Sequence, residues 1–301
     1  MRALVHSGGG RKGAWGVGVL KVLTAAPLHR DWKYLSGTSV GAINLSWLAM
    51  FPMGGSADAV RSLEILWLNL QTKKVWKHWF WGPLAGLWRE SFFNSRPLWK
   101  LLEHDLDQEK LRSSEHSLRV GCVDYGSGAY FEATLAEVLE RGIPWWKYVA
   151  ASSSYPSALC PVVLPEGFCG DGGVISATPL KGAIDAGCDE IDVVLTAPLK
   201  PKPMPLEDSK LSLKLSALNI LIRTIDLMAH EAMVRDLQRC EEVNELVRIG
   251  KDGKHREVKL NVFVPQQVLT SSPLDALQFE PVRTKELIRI GEEDARRIMA
   301  L

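Results

Sequence analysis

An α/β fold, with a mostly parallel central sheet flanked by helices in a three-layer sandwich, is predicted by three observations. The chain opens with an apolar strand at residues 3–6 that runs through a glycine turn into a helix at 14–25. The same unit follows at once: a strand at 34–36, the turn Gly37-Thr38-Ser39-Val40-Gly41, and a helix from 42 to about 50. Finally, the 301 residues are 46% hydrophobic and 24% charged, enough to bury a sizeable core and unlike a disordered or collagen-like chain. Strands alternating with helices form parallel sheets covered on both faces.

The remaining elements follow in order. Apolar spacing predicts a helix over 58–71, and residues 72–100 read as irregular, aromatic and basic. Residues 118–123 and 129–133 form a hairpin around Tyr125-Gly126-Ser127-Gly128, and a helix at 135–142 stops before Pro144. The small-residue stretch Ala150-Ala-Ser-Ser-Ser-Tyr-Pro156 leads through Cys160-Pro161 to a second hairpin that ends at Gly170-Asp171-Gly172-Gly173. A buried strand is expected at 192–196. The alternating prolines of 200–205 then require an extended connection, because each removes a backbone donor and fixes φ. A long helix over 211–247, a strand at 259–264 and an amphipathic helix at 284–299 complete the chain. Neither an internal repeat nor a composition shift marks a boundary, so a single domain over 1–301 is expected.

Composition narrows the function classes. Thirty-six basic against 35 acidic side chains give a net charge of +1, so no global field favours nucleic acid. Five cysteines without a close pair point to buried free thiols in a reducing compartment, not to disulfides or zinc. Residues 1–8 are too short for a signal-peptide core, and no run reaches the ~20 apolar residues needed to cross a bilayer. A cytoplasmic protein, free or peripheral on the inner membrane face, is expected. No calcium loop is present, since Asp105-Leu-Asp107 lacks the turn glycine.

Three glycine-centred motifs carry the chemistry. Gly8-x-Gly10-x-x-Gly13 follows a strand and opens a helix, which places backbone N–H groups at a positive helix end. Such a cradle suits a phosphate or an oxyanion. As a dinucleotide fingerprint it lacks an acid at the end of the second strand, because Asp31 lies before that strand, and as a P-loop it lacks the lysine after Gly13. Gly37-x-Ser39-x-Gly41, between a strand and a helix, has the nucleophile-elbow pattern, in which the flanking glycines allow a turn tight enough to project the serine hydroxyl. The histidines that follow it (His78, His104, His116, His230 and His255) occupy no glycine turn or strand end, so Asp171, before Gly172-Gly173, is the best placed base.

In this order the motifs resemble the patatin-like phospholipase family: a glycine-rich oxyanion loop, then GxSxG, then an acid in DG[GA]. The segment from Ala151 to Cys160-Pro161, and Gly173-Val174 followed by Thr178-Pro179-Leu180, resemble that family too. One departure is Ser7, where many members carry Asp. The resemblance implies a Ser39–Asp171 dyad, an oxyanion hole at Gly8, Gly9, Gly10, Arg11 and Gly13, and motif glycines at Gly37, Gly41, Gly172 and Gly173. It further implies hydrolysis of fatty-acyl esters of phospholipids through an acyl-serine, without metal or cofactor, and a Lys12 facing solvent or a lipid phosphate. Acyl transfer, a nucleotide-activated phospholipase and, in a different class, a nucleotide-binding module on the first glycine loop are the alternatives.

Between residues 73 and 100, six cations (Lys73, Lys74, Lys77, Arg89, Arg96 and Lys100) face one acid, Glu90, and five of the chain's 11 tryptophans cluster there. Indoles settle at headgroup depth while cations meet lipid phosphates. Trp76, Trp79, Trp81 and Trp88 are therefore candidates for a membrane-contacting cap, the alternative being that they fill a loop-rich core.

Overall fold

The computed structural model describes residues 1–80, 88–200, 217–270 and 274–301. Its strands run in chain order as β1 (Arg2–His6), β2 (Tyr34–Thr38), β3 (Lys77–His78), β4 (Phe93–Asn94), β5 (Ser117–Asp124), β6 (Tyr130–Thr134), β7 (Val162–Leu164), β8 (Gly167–Asp171), β9 (Glu190–Val194) and β10 (Lys259–Phe263). Eight of them form one sheet in the order β10-β9-β1-β2-β5-β8-β7, with β6 also on β5. The run from β10 to β5 is parallel, whereas β6 and β8 meet β5 antiparallel and β7 meets β8 antiparallel.

Strand periodicity makes the layers. Leu4 joins a core with Trp15, Leu20, Leu45 and Leu63, while its neighbours Ala3 and Val5 join one with Ala183, Met233 and Cys240. The first face is covered by the helices Gly13–Thr24, Val40–Leu48, Ser56–Leu68 and Pro281–Met299, the second by Lys181–Asp185 and Ala217–Arg248. Helices Gly13–Thr24 and Pro281–Met299 approach through Gly18 and Gly291, where a Cβ would strike the facing backbone carbonyls of Ile288 and Trp15. All five cysteines are buried and unpaired.

On β9, one strand in from the edge strand β10, lies a buried ionic cluster. Asp192 of β9 is fully buried and accepts hydrogen bonds from Arg30 Nη1, from Trp32 Nε1 at 2.6 Å and from Asn261 Nδ2 at 2.9 Å.

Several expectations need correction. Residues 72–100 are not irregular throughout: Thr72–Val75 is helical, β3 pairs with β4, and a helix runs from Arg96 to Asp105 behind Pro97 in its first turn. β9 lies at 190–194 and not 192–196, because β1 sets its register through Arg2↔Glu190 and His6↔Val194. The extended connection expected at 200–205 and the first residues of the long helix, 211–216, fall outside the described residues beyond 200. That helix is described as Ala217–Arg248. No helix among the described residues is long and apolar enough to cross a membrane.

Candidate active site

Strand register brings the two candidate side chains together. β2 and β8 share one edge of β5, and β6 takes the other. β2 ends at Thr38 opposite Gly121, while β8, running the opposite way, ends at Asp171 opposite Cys122. The two strand ends meet on adjacent rungs of β5. Ser39 therefore adjoins Asp171, and its hydroxyl lies close enough to the Asp171 carboxylate to favour the charged form.

The turn that presents Ser39 is strained. Ser39 has φ 57° and ψ −125°, a region that side chains rarely occupy. A Cβ on Gly37 would lie 2.6 Å from the Gly41 carbonyl carbon, and one on Gly41 would strike the His6 carbonyl, so both positions require glycine. Hydroxyls from the helix Trp145–Ser152 and the residues after it hold the turn. The Ser39 amide donates to Ser152 Oγ (2.9 Å), which donates to the Gly121 carbonyl (2.7 Å), and Ser153 Oγ donates to the Ser39 carbonyl (3.3 Å). The Asp171 amide in turn donates to the Ser154 carbonyl at 3.2 Å. One serine-rich stretch thus braces both partners.

Asp171 is 4% exposed and accepts from the Gly173 amide at 2.8 Å. Burial pushes its carboxyl up to about 6, against the opposing pull of the Gly173 amide and the Ser39 hydroxyl. A Cβ on Gly172 would lie 2.6 Å from the Gly121 carbonyl carbon, so this strand end also needs a glycine to approach β5.

Above Ser39 runs the first glycine loop. A Cβ on Gly8 would lie 2.9 Å from Ser39 Cβ. The loop is fastened to the end of β9: Ser7 N–H donates to the Val194 carbonyl (3.0 Å), the Thr196 amide donates to Ser7 Oγ (3.0 Å), and Thr196 Oγ1 donates to the Gly8 carbonyl. Gly9 and Gly10 have φ 152° and 57°. Among the described residues, the Gly8 and Gly9 amides have no acceptor. Gly8 to Lys12, Ser39 and Asp171 line one cavity of about 730 Å³. Its other walls include Ile43, Trp47, Leu66, Leu98 and Leu102, an apolar arm on the side of the helices that follow Ser39.

The family model described as patatin-like phospholipase matches residues 4–184. The chain belongs to that family. Among solved structures it is similar to VipD from Legionella pneumophila, with 12% identity and a TM-score of 0.47, covering 99% of this chain. This chain spans 66% of the length of that one. Comparison with curated proteins returns no match.

In this patatin-like chain the other predicted site residues are placed as follows. Gly10, Arg11 and Lys12 line the cavity and Gly13 does not. Gly13 instead opens a helix, and a Cβ there would strike Val40, so its role is close packing against the helix after Ser39. The Arg11 side chain is buried and pairs with Asp275, another lining residue, at 2.8 Å. Lys12 faces the cavity and not bulk solvent, and desolvation lowers its pKa. Asp31 is bound to Ser56 Oγ at 2.5 Å and to the Gly54 and Trp32 amides, so it is spent on a helix start and is not placed to hold a ribose.

The tryptophans divide. Trp76 donates to the Leu277 carbonyl (2.7 Å) and stacks on Phe93, and Trp79 donates to the Ser91 carbonyl (3.0 Å), so both are anchored inward. Trp88 is 62% exposed, and Trp81 lies outside the described residues. Of the five histidines, His230 lines the cavity, its Nε2 bonded to the Pro198 carbonyl at 2.8 Å. The sequence reading passed over His6, which is fully buried, held neutral with its pKa lowered to about 4 by burial, and bonded to Asn44 at 3.2 Å. Asn44 also donates to the Gly13 carbonyl (3.2 Å) and accepts from Trp67 (2.9 Å), so this network ties the glycine loop to the helix after Ser39. Among the described residues, no group of three or more His, Cys, Asp or Glu is placed to hold a metal ion.

Proposed function

We propose that the protein hydrolyses fatty-acyl esters of phospholipids, with Ser39 as nucleophile and Asp171 as base. The supporting observation is the closeness of the Ser39 hydroxyl to the Asp171 carboxylate inside a largely apolar cavity that also takes in the Gly8 and Gly9 amides, which have no acceptor among the described residues. Ser39 Oγ attacks the ester carbonyl as its proton passes to Asp171. The carbonyl oxygen becomes an oxyanion that accepts hydrogen bonds from the backbone amides of Gly8, Gly9, Gly10 and Arg11. Collapse expels the lysolipid alkoxide, which takes the proton from Asp171, and leaves acyl-Ser39. Water then repeats the sequence, giving its proton to Asp171, and the fatty acid leaves. An exposed carboxylate with a pKa of ~4 is a weak base for this task, so the burial that raises Asp171 is functionally useful. Amide donors aimed at the oxyanion supply on the order of 10²–10³-fold each.

The test is labelling with a fluorophosphonate. Wild type should acquire the tag and release acyl chains from phosphatidylcholine, and Ser39→Ala should do neither. Labelling that survives in Ser39→Ala would place the nucleophile elsewhere.

A second expectation concerns pH. Asp171 acts as the carboxylate, so kcat/KM for a soluble ester should be flat above about 6 and fall as the carboxyl protonates below it. A profile that stays flat down to pH ~4, the ordinary carboxyl range, would remove Asp171 as the base.

A further inference from the structure

Among the described residues that line the cavity, the exposed ones are Leu227, Val268 and Arg283, and they mark where it meets solvent. Leu227 lies on the helix Ala217–Arg248, whose outward face changes character along its length. Among the described side chains between residues 220 and 228 the exposed ones are Ile220, Thr224, Leu227 and Met228, none of them charged. From Glu231 to Glu245 every exposed side chain is charged except Gln238, and a single apolar residue, Leu246, is exposed in the last turn. The change falls near Met233, the last residue of this helix to line the cavity.

A solvent-facing helix surface ordinarily carries polar residues throughout, and an apolar stripe on one marks an interaction site. Ile220, Leu227 and Met228 are 54%, 44% and 53% exposed, so they contribute little to the core. Val268, another exposed lining residue, is 50% exposed, and Leu199 and Val282, 44% and 80% exposed, are chain neighbours of the lining residues Pro198 and Arg283. Arg283 forms no ion pair among the described residues.

We infer that the 220–228 face of this helix docks on a lipid bilayer and delivers the acyl chain to the cavity directly. The occupant follows from continuity. Apolar side chains border the opening of a largely apolar cavity, so an acyl chain leaving the bilayer there crosses no water. Arg283, an exposed cation that lines the same cavity, matches lipid phosphates in charge. The inference rests on the lipid hydrolase reading above, and it moves membrane contact from Trp76 and Trp79, which point inward, to a helix that the sequence reading treated only as a long helical tract.

The test is flotation with vesicles of equimolar phosphatidylcholine and phosphatidylglycerol, using full-length protein and the double variant Ile220→Glu/Met228→Glu. Neither residue lines the cavity. The variant should partition more weakly by on the order of 10²-fold, about tenfold for each apolar side chain no longer buried in lipid. Its hydrolysis of a short-chain soluble ester and its fluorophosphonate labelling should match wild type. Equal vesicle binding by the two proteins, or no binding by wild type, would overturn the inference. So would loss of binding in Trp88→Ala with retention in the double variant, or a wild-type dimer that the double variant dissociates, since the face would then belong to a second copy. If the glutamates disrupt folding, Ile220→Ser/Met228→Ser carries the same comparison. Absence of soluble-ester turnover would sink the hydrolase reading while flotation still reports on docking.

Discussion

Asp171→Asn is expected to cut kcat/KM for a soluble ester by about 10³–10⁴-fold, the range for removing a positioned general base. The amide keeps the shape and still accepts from the Gly173 amide, but it cannot take the Ser39 proton. The same change should stabilise the fold at alkaline pH. The Asp171 carboxyl is raised by burial to about 6 in the folded state, so folding favours its protonated form. Wild type therefore has its full stability from this group below the unfolded pKa of ~4, and loses it as pH rises through about 6. The Asn variant carries no such charge, and at pH 8 it should exceed wild type by about 1–3 kcal/mol in urea unfolding, with the gain vanishing towards pH 4. A variant that is both inactive and destabilised at pH 8 would mean that Asp171 serves the fold instead.

The largest stability effect should come from Arg30. Asp192 is fully buried on β9, between β10 and β1, and Arg30 is the cation bonded to it. Burial raises the Asp192 carboxyl, while Arg30 and the Trp32 and Asn261 donors oppose that rise. Removing one partner of a buried pair leaves an uncompensated charge, which costs about 3–5 kcal/mol. Arg30→Met should lose that much in denaturant unfolding, and adding Asp192→Asn should recover a large part of it. A loss under ~1 kcal/mol would show that water reaches the carboxylate in place of the guanidinium.

What could be read from the chain alone was what is local. Gly37-x-Ser39-x-Gly41, Asp171-Gly172-Gly173 and the loop at Gly8 to Gly10 are legible because each turn imposes its glycines within a few residues. The parallel sheet followed from the strand–turn–helix alternation, and the first hairpin from the turn residues Tyr125-Gly126-Ser127-Gly128. Interactions set by distant segments were not legible. Ser152 and Ser153 brace Ser39 from 113 and 114 residues further along the chain, and nothing in their own neighbourhood distinguishes them from an ordinary helix end. Arg30 and Asp192 have no sequence relation that marks them as a pair. Gly13 was assigned to the oxyanion cradle because it completes a spacing pattern, whereas its Cα faces Val40. For Trp76 and Trp79, composition raised two options, and only the acceptors at Leu277 and Ser91 fix which way the indoles turn.

The abutment of β2 and β8 on one edge of β5 has a wider consequence. The serine and the aspartate belong to strands of opposite polarity, with β5 as their common ruler. Sliding β8 by one notch along that ruler would turn Asp171 to the opposite side of the sheet, since side chains alternate. Such a molecule would keep its helices and most of its interior yet separate the Asp171 carboxylate from Ser39, so the tight bend at Gly167, φ 140°, works as an alignment pin for the candidate dyad at the other end of its strand.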